Sequence, residues 1–597
     1  MRHDVRNYII LNTNASERVI AADLGPHVRI GVYVPGSSGH RILVVGSAPS
    51  TLDAPFFDLT VAYKRALSDA TKHAGSFAFP GSVGDGSSNE HDLEILALTG
   101  DRFANAPTVF LIGNLVARDL EALGRTVASV GFAEVGRATT SARAFRERVD
   151  GQSALDVIAS RTPDVIVLAL TDDTKGEGLD YITDLLVGGL SGRESGYTPR
   201  IVLLYKGIPD TAILGRLQAA LPTVAHQIHG GSPNEPMDLG TPNLAMEDAM
   251  RAVYRSSFAG CEVPQAIARA PRVPRASALG TAARCLSNNQ GLDVAVLSCE
   301  HAGVNVVVAR GGESEAIRVT SGHDNERSFH VGLQTPIERV ARWLPDVPLP
   351  HAMHAYVLGQ TAHPTSVPAS TSELQLAHAI WVAAARDALR ASGGGRNPLD
   401  DVSIDLAVLT GEVTYTIGRP MQAVLLLINS FETCGVTQLA LDASNALAMS
   451  GCLLDVDVPV MTESSLIELG VCVALRGQAP FGESAVVVEV HPEGRPAIER
   501  EVSSGSLDVV QWEAGLEADV KIWPASKFDV GLGYGRPAHL RVPITPGSVG
   551  LVIDARGRPL SWPDDAEDRH ARVEQWFRAL NAYAAQRPWP EVPLHHG

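Results

Sequence analysis

Leu292-Asp-Val-Ala-Val-Leu297 and Ile404-Asp-Leu-Ala-Val-Leu409 decide how this chain is read. Both are too short for a helix and apolar on both faces. Such a run fits a strand covered on both sides of a sheet. Asp164-Val-Ile-Val-Leu-Ala-Leu170 and Arg200-Ile-Val-Leu-Leu-Tyr205 repeat the pattern. Each run ends near Gly, Asp, Ser or Thr, and a helical stretch often follows. Strand, turn and helix in repetition define α/β packing.

The helices show their own period. Residues Leu59–Ala74 place Leu59, Ala62, Tyr63, Ala66, Leu67 and Ala70 on one stripe. Residues 373–391 do the same with Leu374, Ala377, His378, Trp381, Ala384, Ala385 and Ala388. Both have the 3.6-residue repeat of a helix lying on a core, and Ser372-Glu373 is the expected cap of the second. The character changes near Gly477. Ser-Ala-Val-Val-Val-Glu-Val over 484–490 and Ala-Asp-Val-Lys-Ile-Trp over 518–523 read as antiparallel strands, the second alternating as a half-exposed strand does. Gly and Pro punctuate 477–557 densely, so a small β-rich module is expected there. A last helix over 568–584 carries Val573, Trp576, Phe577 and Leu580 on one face. The Gly- and Ser-rich stretch 75–91 and the stretch 391–400 read as linkers.

The bulk numbers set outer limits. A chain of 597 residues exceeds the roughly 250 to 300 that one core supports. At least two large domains follow. The net charge of -18 excludes a nucleic-acid partner, whose phosphates attract Lys and Arg clusters. It also excludes a polybasic membrane anchor. No run approaches the ~18 apolar residues of a membrane span, and residues 1–25 hold no signal-peptide core. Cys261, Cys285, Cys299, Cys434, Cys452 and Cys472 form no C-x-x-C and no zinc spacing, so they read as buried free thiols. A cytoplasmic location is the expectation.

Several segments together resemble the MutL (glutamate mutase L) family of accessory proteins, encoded with adenosylcobalamin-dependent glutamate mutase. They are Thr162-Pro-Asp-Val-Ile-Val-Leu168, Pro364-Thr-Ser-Val-Pro-Ala-Ser-Thr-Ser-Glu-Leu-Gln-Leu376, Cys434-Gly-Val-Thr-Gln-Leu-Ala-Leu-Asp442 and Gly547-Ser-Val-Gly-Leu-Val-Ile-Asp-Ala-Arg-Gly-Arg-Pro-Leu560. The last is the most specific. The resemblance implies an α/β, two-lobed actin-like ATPase fold (ribonuclease H-like) with a small C-terminal β-rich module. Residues 1–285 are then the first lobe, 286–476 the second, 477–560 the module, and 561–597 a C-terminal helix and tail. It also implies ATP with Mg²⁺ in a cleft between the lobes. That chemistry needs glycine turns whose backbone N–H groups reach phosphate, and carboxylates that hold the metal.

The turns depart from the family pattern. The first, Asp23-Leu-Gly-Pro-His-Val-Arg-Ile-Gly31, keeps Asp23 and Gly25 but has Pro26 and His27 at the hydroxyl positions. Proline has no N–H to offer a phosphate. The second, Leu297-Ser-Cys-Glu-His-Ala-Gly-Val-Asn305, has Leu297 where the family has its first Asp and Cys299 and Glu300 where it has paired glycines. Gly303 follows them, and Glu300 would repel phosphate unless metal-bound. Leu170-Thr-Asp-Asp-Thr-Lys175 keeps Asp173 without the flanking glycines, and Thr410-Gly-Glu-Val413 keeps only Gly411. Asp23, Gly25, Asp173, Gly303 and Gly411 are therefore the remnant nucleotide-cleft residues. No catalytic residue and no metal ligand is assigned.

Plainer readings stand beside the sharper ones. Asp23 is either a remnant Mg²⁺ site or a strand-end carboxylate bonded to a turn. Gly531, Gly533 and Gly535 precede Arg536 and Pro537 rather than a helix, so a turn fits better than a dinucleotide loop. His351 and His354 lack a carboxylate or Cys partner nearby, so they read as solvated or packing histidines. Asp455 and Asp457 alternate as on a solvent-facing edge strand. Arg556 and Arg558 read as a turn held by Arg–carboxylate pairs, with anion contact as the alternative.

Scaffold segments that match and phosphate turns that depart point to a pseudo-ATPase acting through protein contacts. The partner implied by the resemblance is a cobalamin-dependent mutase subunit or an intact MutL-like paralogue. The alternatives are a working ATPase that reactivates the mutase by exchanging damaged cobalamin, and a scaffold that keeps the fold alone.

Overall fold

The computed structural model describes residues 18–51, 58–74, 95–100, 108–113, 123–124, 127, 133–139, 163–171, 200–206, 263–300, 303–310, 316–321, 337–363, 365–392, 399, 403–512, 516–540 and 549–583. Asp173, Cys261 and the stretch 75–91 lie outside them, as does most of 393–402.

Strands β1 (Val19–Leu24), β2 (His27–Pro35) and β3 (His40–Pro49) form an antiparallel meander. Helix α1 (Leu59–Ala74) covers β3, and β4 (Ala97–Gly100) runs parallel to β1. The chain then builds a separate parallel sheet from β5 (Thr108–Gly113), β6 (Ala133–Thr139), β7 (Val165–Thr171) and β8 (Arg200–Lys206). After α2 (Gln265–Arg269), β9 (Arg272–Pro274) returns to the first sheet beside β4. The first sheet thus has the order β3-β2-β1-β4-β9.

Helix α3 (Arg275–Gln290) leads into a second pass through the same topology. Strands β10 (Val294–Glu300), β11 (Gly303–Ala309) and β12 (Ala316–Ser321) repeat the meander. Helices α4 (Ile337–Ala341), α5 (Pro350–Ala362) and α6 (Thr371–Ser392) follow. Strand β13 (Leu406–Gly411) lies parallel to β10. Then α7 (Pro420–Phe431) precedes β14 (Gly435–Leu441), which is parallel to β13. The order β12-β11-β10-β13-β14 is that of the first sheet. Two copies of one strand order in one chain are the two-lobed α/β plan of the actin-like fold.

The inner strands β1, β10 and β13 are buried at every position, their apolar residues in contact with the layers on both faces and their few polar ones, Asp23, Ser298, Glu300 and Thr410, paired at the carboxyl ends. The second sheet continues beyond the repeat. Helix α8 (Leu447–Leu454) precedes β15 (Ile467–Ala474), antiparallel to β14. Strand β16 (Arg476–Gly477) opens the C-terminal part, followed by β17 (Ser484–Pro492), β18 (Ile498–Ser503), β19 (Leu507–Val510), β20 (Ala518–Pro524), β21 (Phe528–Asp529), β22 (Ala538–Leu540) and β23 (Gly550–Asp554). Strands β18-β17-β20-β22 form a four-stranded antiparallel sheet. In β20, Ala518, Val520 and Ile522 are buried while Asp519 and Trp523 face solvent, the alternation read from sequence. The buried face packs on Val471, Val473, Leu551 and Ile553 of the second lobe. Strands β23 and β19 themselves join the second-lobe sheet, β23 beside β15 and β19 beside β23.

Three local expectations are refined. The cap of α6 is Ser370, not Ser372. Its Oγ accepts the Glu373 N–H at 3.1 Å, and Glu373 reaches back to the Ala369 N–H at 2.7 Å. Asp455 and Asp457 lie on no edge strand. Asp455 caps α8 and accepts from Thr281 Oγ1 at 2.6 Å, while Asp457 has φ 62° in the turn that follows. The polar–apolar alternation there comes from a turn that exposes alternate residues. Gly531 and Gly533 bend a loop whose N–H groups both bond Asp529 Oδ1 at 2.7 Å, an Asx-type turn. His351 and His354 are exposed on α5. The final helix is α9 (Ala566–Ala579), capped by Asp565 through the Asp568 N–H. No described helix is long and apolar enough to cross a membrane.

His378 of α6 is buried between Tyr583 Oη at 2.8 Å and Thr416 Oγ1 at 3.1 Å. Burial pushes its pKa from 6.5 down to about 3. The folded state therefore keeps it neutral while the unfolded chain protonates below pH 6.5. Its contribution is fully present above pH 6.5 and is lost as pH falls toward 3, at up to roughly 1.4 kcal/mol per pH unit. Thermal melts between pH 6.5 and 4.5 should show a shallower fall of Tm for His378→Gln than for wild type. Equal slopes would remove His378 from the acid response.

Candidate functional site

The carboxyl ends of β1 and β10 meet between the lobes, and charged side chains fill the meeting point. Asp23 is the penultimate residue of β1, and the hairpin sets Arg29 of β2 directly across from it. The turn closes through the Gly25 N–H to His27 O at 3.1 Å. Arg29 Nη1 donates to Asp23 Oδ2 at 2.7 Å. Arg275 opens α3 and donates through Nη2 to Asp23 Oδ1. Its other terminal nitrogen, Nη1, pairs with Glu300 Oε1 at the end of β10. Ser298 Oγ donates to that same oxygen at 2.9 Å. One guanidinium thus holds the acid of the first turn and the acid of the second.

The second lobe closes over this core. Arg29 Nε donates to Tyr415 Oη at 3.0 Å, and the Tyr415 hydroxyl meets Ser47 Oγ at 3.1 Å. The His27 ring lies 4.8 Å from the Tyr415 ring, with its Nδ1 4.0 Å from Glu412 Oε1. Asp23 and Arg29 are 0 % exposed, Glu300 2 % and Arg275 3 %. Burial disfavours the charged Arg29 guanidinium. Tyr415, Asp23, Glu300 and Glu412 outweigh it and hold Arg29 well above its ordinary pKa. Buried charges of this kind persist only when paired, and removing one partner strands the other.

Gly411 ends β13 at φ 93°. A Cβ there would come within 2.6 Å of both Cys299 O and Glu300 Oε1. The glycine lets β13 press against the end of β10. Its N–H donates to Asn445 Oδ1 at 2.6 Å. Next to it Thr410 Oγ1 donates to Asp442, whose carboxylate accepts the Ala446 and Leu447 N–H groups at 3.0 and 2.8 Å. Burial raises the Asp442 pKa, and these donors temper the rise.

The structure therefore gathers Asp23, Gly25 and Gly411 with the β10–β11 hairpin, in which Gly303 pairs with Glu300. Asp173 lies outside the described residues. The side chains do not fit a hydrolytic Mg²⁺·ATP site. Both Asp23 oxygens and Glu300 Oε1 already accept from guanidinium groups, which repel a divalent cation from the same oxygens. Pro26 removes one backbone donor. Among the described residues no group of three or more His, Cys, Asp or Glu is arranged to hold a metal ion.

A second joint lies beside the cluster. Helix α8 crosses α3 so closely that a Cβ on Gly451 would sit 1.8 Å from Ala278 O. Tyr33 Oη of the first lobe donates to Ala446 O at 3.2 Å and meets Ser450 Oγ at 3.1 Å. Farther off, Asp554 is bonded to Arg556 Nε at 2.9 Å and also pairs with Arg558. Burial raises its pKa, but these two arginines outweigh it and hold it well below the carboxylate range. Arg556 also stacks 4.7 Å from the Trp576 ring, so this segment is the Arg–carboxylate turn.

Sequence reasoning missed Arg29, Arg275 and Tyr415. Arg29 left a signal, a lone charge inside the apolar strand His-Val-Arg-Ile-Gly-Val. Such a residue demands a buried partner. Arg275 left none, because only the fold brings it between the turns.

No family model matches this chain, and no curated protein matches it. Solved structures are similar at low level, three of them as follows. A nucleotide-free acetone carboxylase has 13 % identity over 81 % of this chain and 81 % of its own, with TM-score 0.30. A PilM–PilN type IV pilus biogenesis complex has 10 % identity over 73 % and 98 %, with TM-score 0.24. A PPX-GPPA enzyme of Aquifex aeolicus has 9 % identity over 68 % and 74 %, with TM-score 0.16. At these scores the likenesses carry no argument, and the fold rests on the duplicated strand order.

Two substitutions test the joint. Arg275→Met should cost about 3–5 kcal/mol in urea unfolding, because Asp23 and Glu300 lose their shared cation. Gly451→Val should destabilise comparably through overlap with Ala278, whereas the exposed Gly359→Ala, with open space around it, should not. An Arg275→Met protein as stable as wild type would show that the cluster holds nothing.

Proposed function

We propose that this protein is a pseudo-ATPase of actin-like fold that works through protein contacts rather than nucleotide turnover. The observation that carries the reading is Arg275 bridging Asp23 and Glu300 across the lobes. An actin-like ATPase uses that place for phosphate and metal and closes its lobes around them. Here cations belonging to the protein stand there. Tyr33 of the first lobe, bonded to Ala446 O and Ser450 Oγ of the α8 segment, joins the lobes at a second point. A hinge fixed at two points and a metal site filled by guanidinium groups both disfavour a nucleotide cycle.

The partner is drawn from the MutL-like segments, Gly547 to Leu560 above all. In this proposal the chain is an accessory to an adenosylcobalamin-dependent mutase. It binds a mutase subunit or a MutL-like paralogue whose turns are intact.

Calorimetric titration with ATP and Mg²⁺ should give no binding heat, and a phosphate-release assay no turnover above buffer. Hydrolysis that disappears in Asp23→Ala would overturn the pseudo-ATPase reading. Size-exclusion runs with purified mutase subunits and with an intact paralogue test the partner separately. A mixed peak with either supports the accessory role, and failure with both removes it.

A further inference from the structure

The C-terminal sheet β18-β17-β20-β22 ends at β18, which among the described residues has a strand on one side only. The backbone pattern shows which groups the open edge offers. The Ala525 N–H donates to Ala485 O and the Glu493 N–H to Glu517 O, each at 2.8 Å. Odd-numbered residues of β17 therefore bond to β20, and Val486, Val488 and Val490 turn to β18. Their partners there are Val502, Arg500 and Ile498. Glu499 and Glu501 alternate with these, so their backbone N–H and C=O groups point away from the sheet. Glu499, Arg500 and Glu501 are all exposed, as an uncovered edge requires.

Charge sets the two acids apart. One strand inward, Glu489 has Lys521 Nζ at 3.8 Å and His491 Nε2 at 3.0 Å. Glu499 and Glu501 have no ion-pair partner among the described residues. Arg500 turns its Nη1 to the Glu499 carbonyl at 3.0 Å, where the N–H of an incoming strand would replace it.

The same charges decide the occupant. Antiparallel pairing of two copies about Arg500 would set Glu499 against Glu501 and Arg500 against itself. Pairing about Glu499 or Glu501 would set that carboxylate against its own copy. Like charges directly opposite destabilise a strand pair, so the edge is closed to a second copy of this chain. A strand with a basic residue across from each Glu meets opposite charge at both places. Those two residues are separated by one other in the partner, which gives an alternating basic pattern. We infer that the edge of β18 docks an extended basic segment of a partner protein, which adds to the sheet as a further strand. The inference rests on the reading that the chain works through protein contacts, and it supplies the chemistry of one such contact.

The probe is a fluorescent peptide, Thr-Val-Lys-Val-Lys-Val-Thr, titrated into the full chain at low salt and followed by anisotropy. Wild type should bind it saturably. The double variant Glu499→Lys with Glu501→Lys should bind it tenfold or more weakly and should take up the Thr-Val-Glu-Val-Glu-Val-Thr peptide instead. Methylating the amides of both lysines keeps the peptide's charge but removes the N–H groups that face β18, and should also cost tenfold or more. Both substitutions lie at exposed positions, and melting confirms that the variant is folded. Absence of saturation at millimolar peptide would overturn the site, as would equal binding by the charge-reversed chain or by the methylated peptide. If a mutase subunit still gives a mixed peak while the peptide fails, the edge is removed and the accessory reading stands. Peptide binding without a mixed peak keeps the edge and removes the mutase as its partner.

Discussion

A charge removed from water must find its opposite, and the centre of this molecule is arranged around that requirement. Asp23 and Glu300 end the leading strands of two related sheets, and both are buried. Neither is tolerable there alone. Arg275, placed by the helix that connects the lobes, answers both acids at once. The position of each lobe is thereby tied to the electrostatics of the other. Arg29 and Tyr415 extend the same network across the gap.

The duplicated topology explains why the acids converge. Each meander begins with a strand whose carboxyl end carries an acid, and the two lobes bring those strand ends within reach of one guanidinium. Evolution of a cleft from such turns needs glycines and free carboxylates. In this chain the protein's own ions occupy the place where the two strand ends converge. Gly411 illustrates the difference. It sits where the resemblance implies a nucleotide contact, yet the close approach of β13 to Cys299 is reason enough for a glycine.

Much of the scaffold was legible in the sequence because burial on both faces leaves an unbroken apolar run. The strands at 164–170, 200–205, 292–297 and 404–409 and the helix Leu59–Ala74 declared themselves that way. The alternation of β20 did so for the opposite reason, one wet face and one dry. What stayed hidden depends on contacts between distant residues. Nothing near Arg275 announces that it will lie between residues 23 and 300. Asp455 and Asp457 misled because alternation of polar and apolar residues is also what a tight turn after a helix produces. Ser370 was passed over as a cap because the box it forms with Glu373 lies one step before the first clearly periodic residue. Asp23 and Gly25 were readable as a turn, but the occupants of that turn were not.

The threading of the C-terminal strands has a consequence for biosynthesis. Strand β23, at residues 550–554, lies between β15 and β19 in the second-lobe sheet. A nascent chain with that sheet half emerged from the ribosome lacks the strand that covers the β15 edge. The first lobe gains its closing strand β9 by residue 274, and can assemble early. The second lobe must wait until residue 554 has emerged, with β15 an open edge in the interval. Chaperone demand during synthesis should therefore be concentrated on the second lobe.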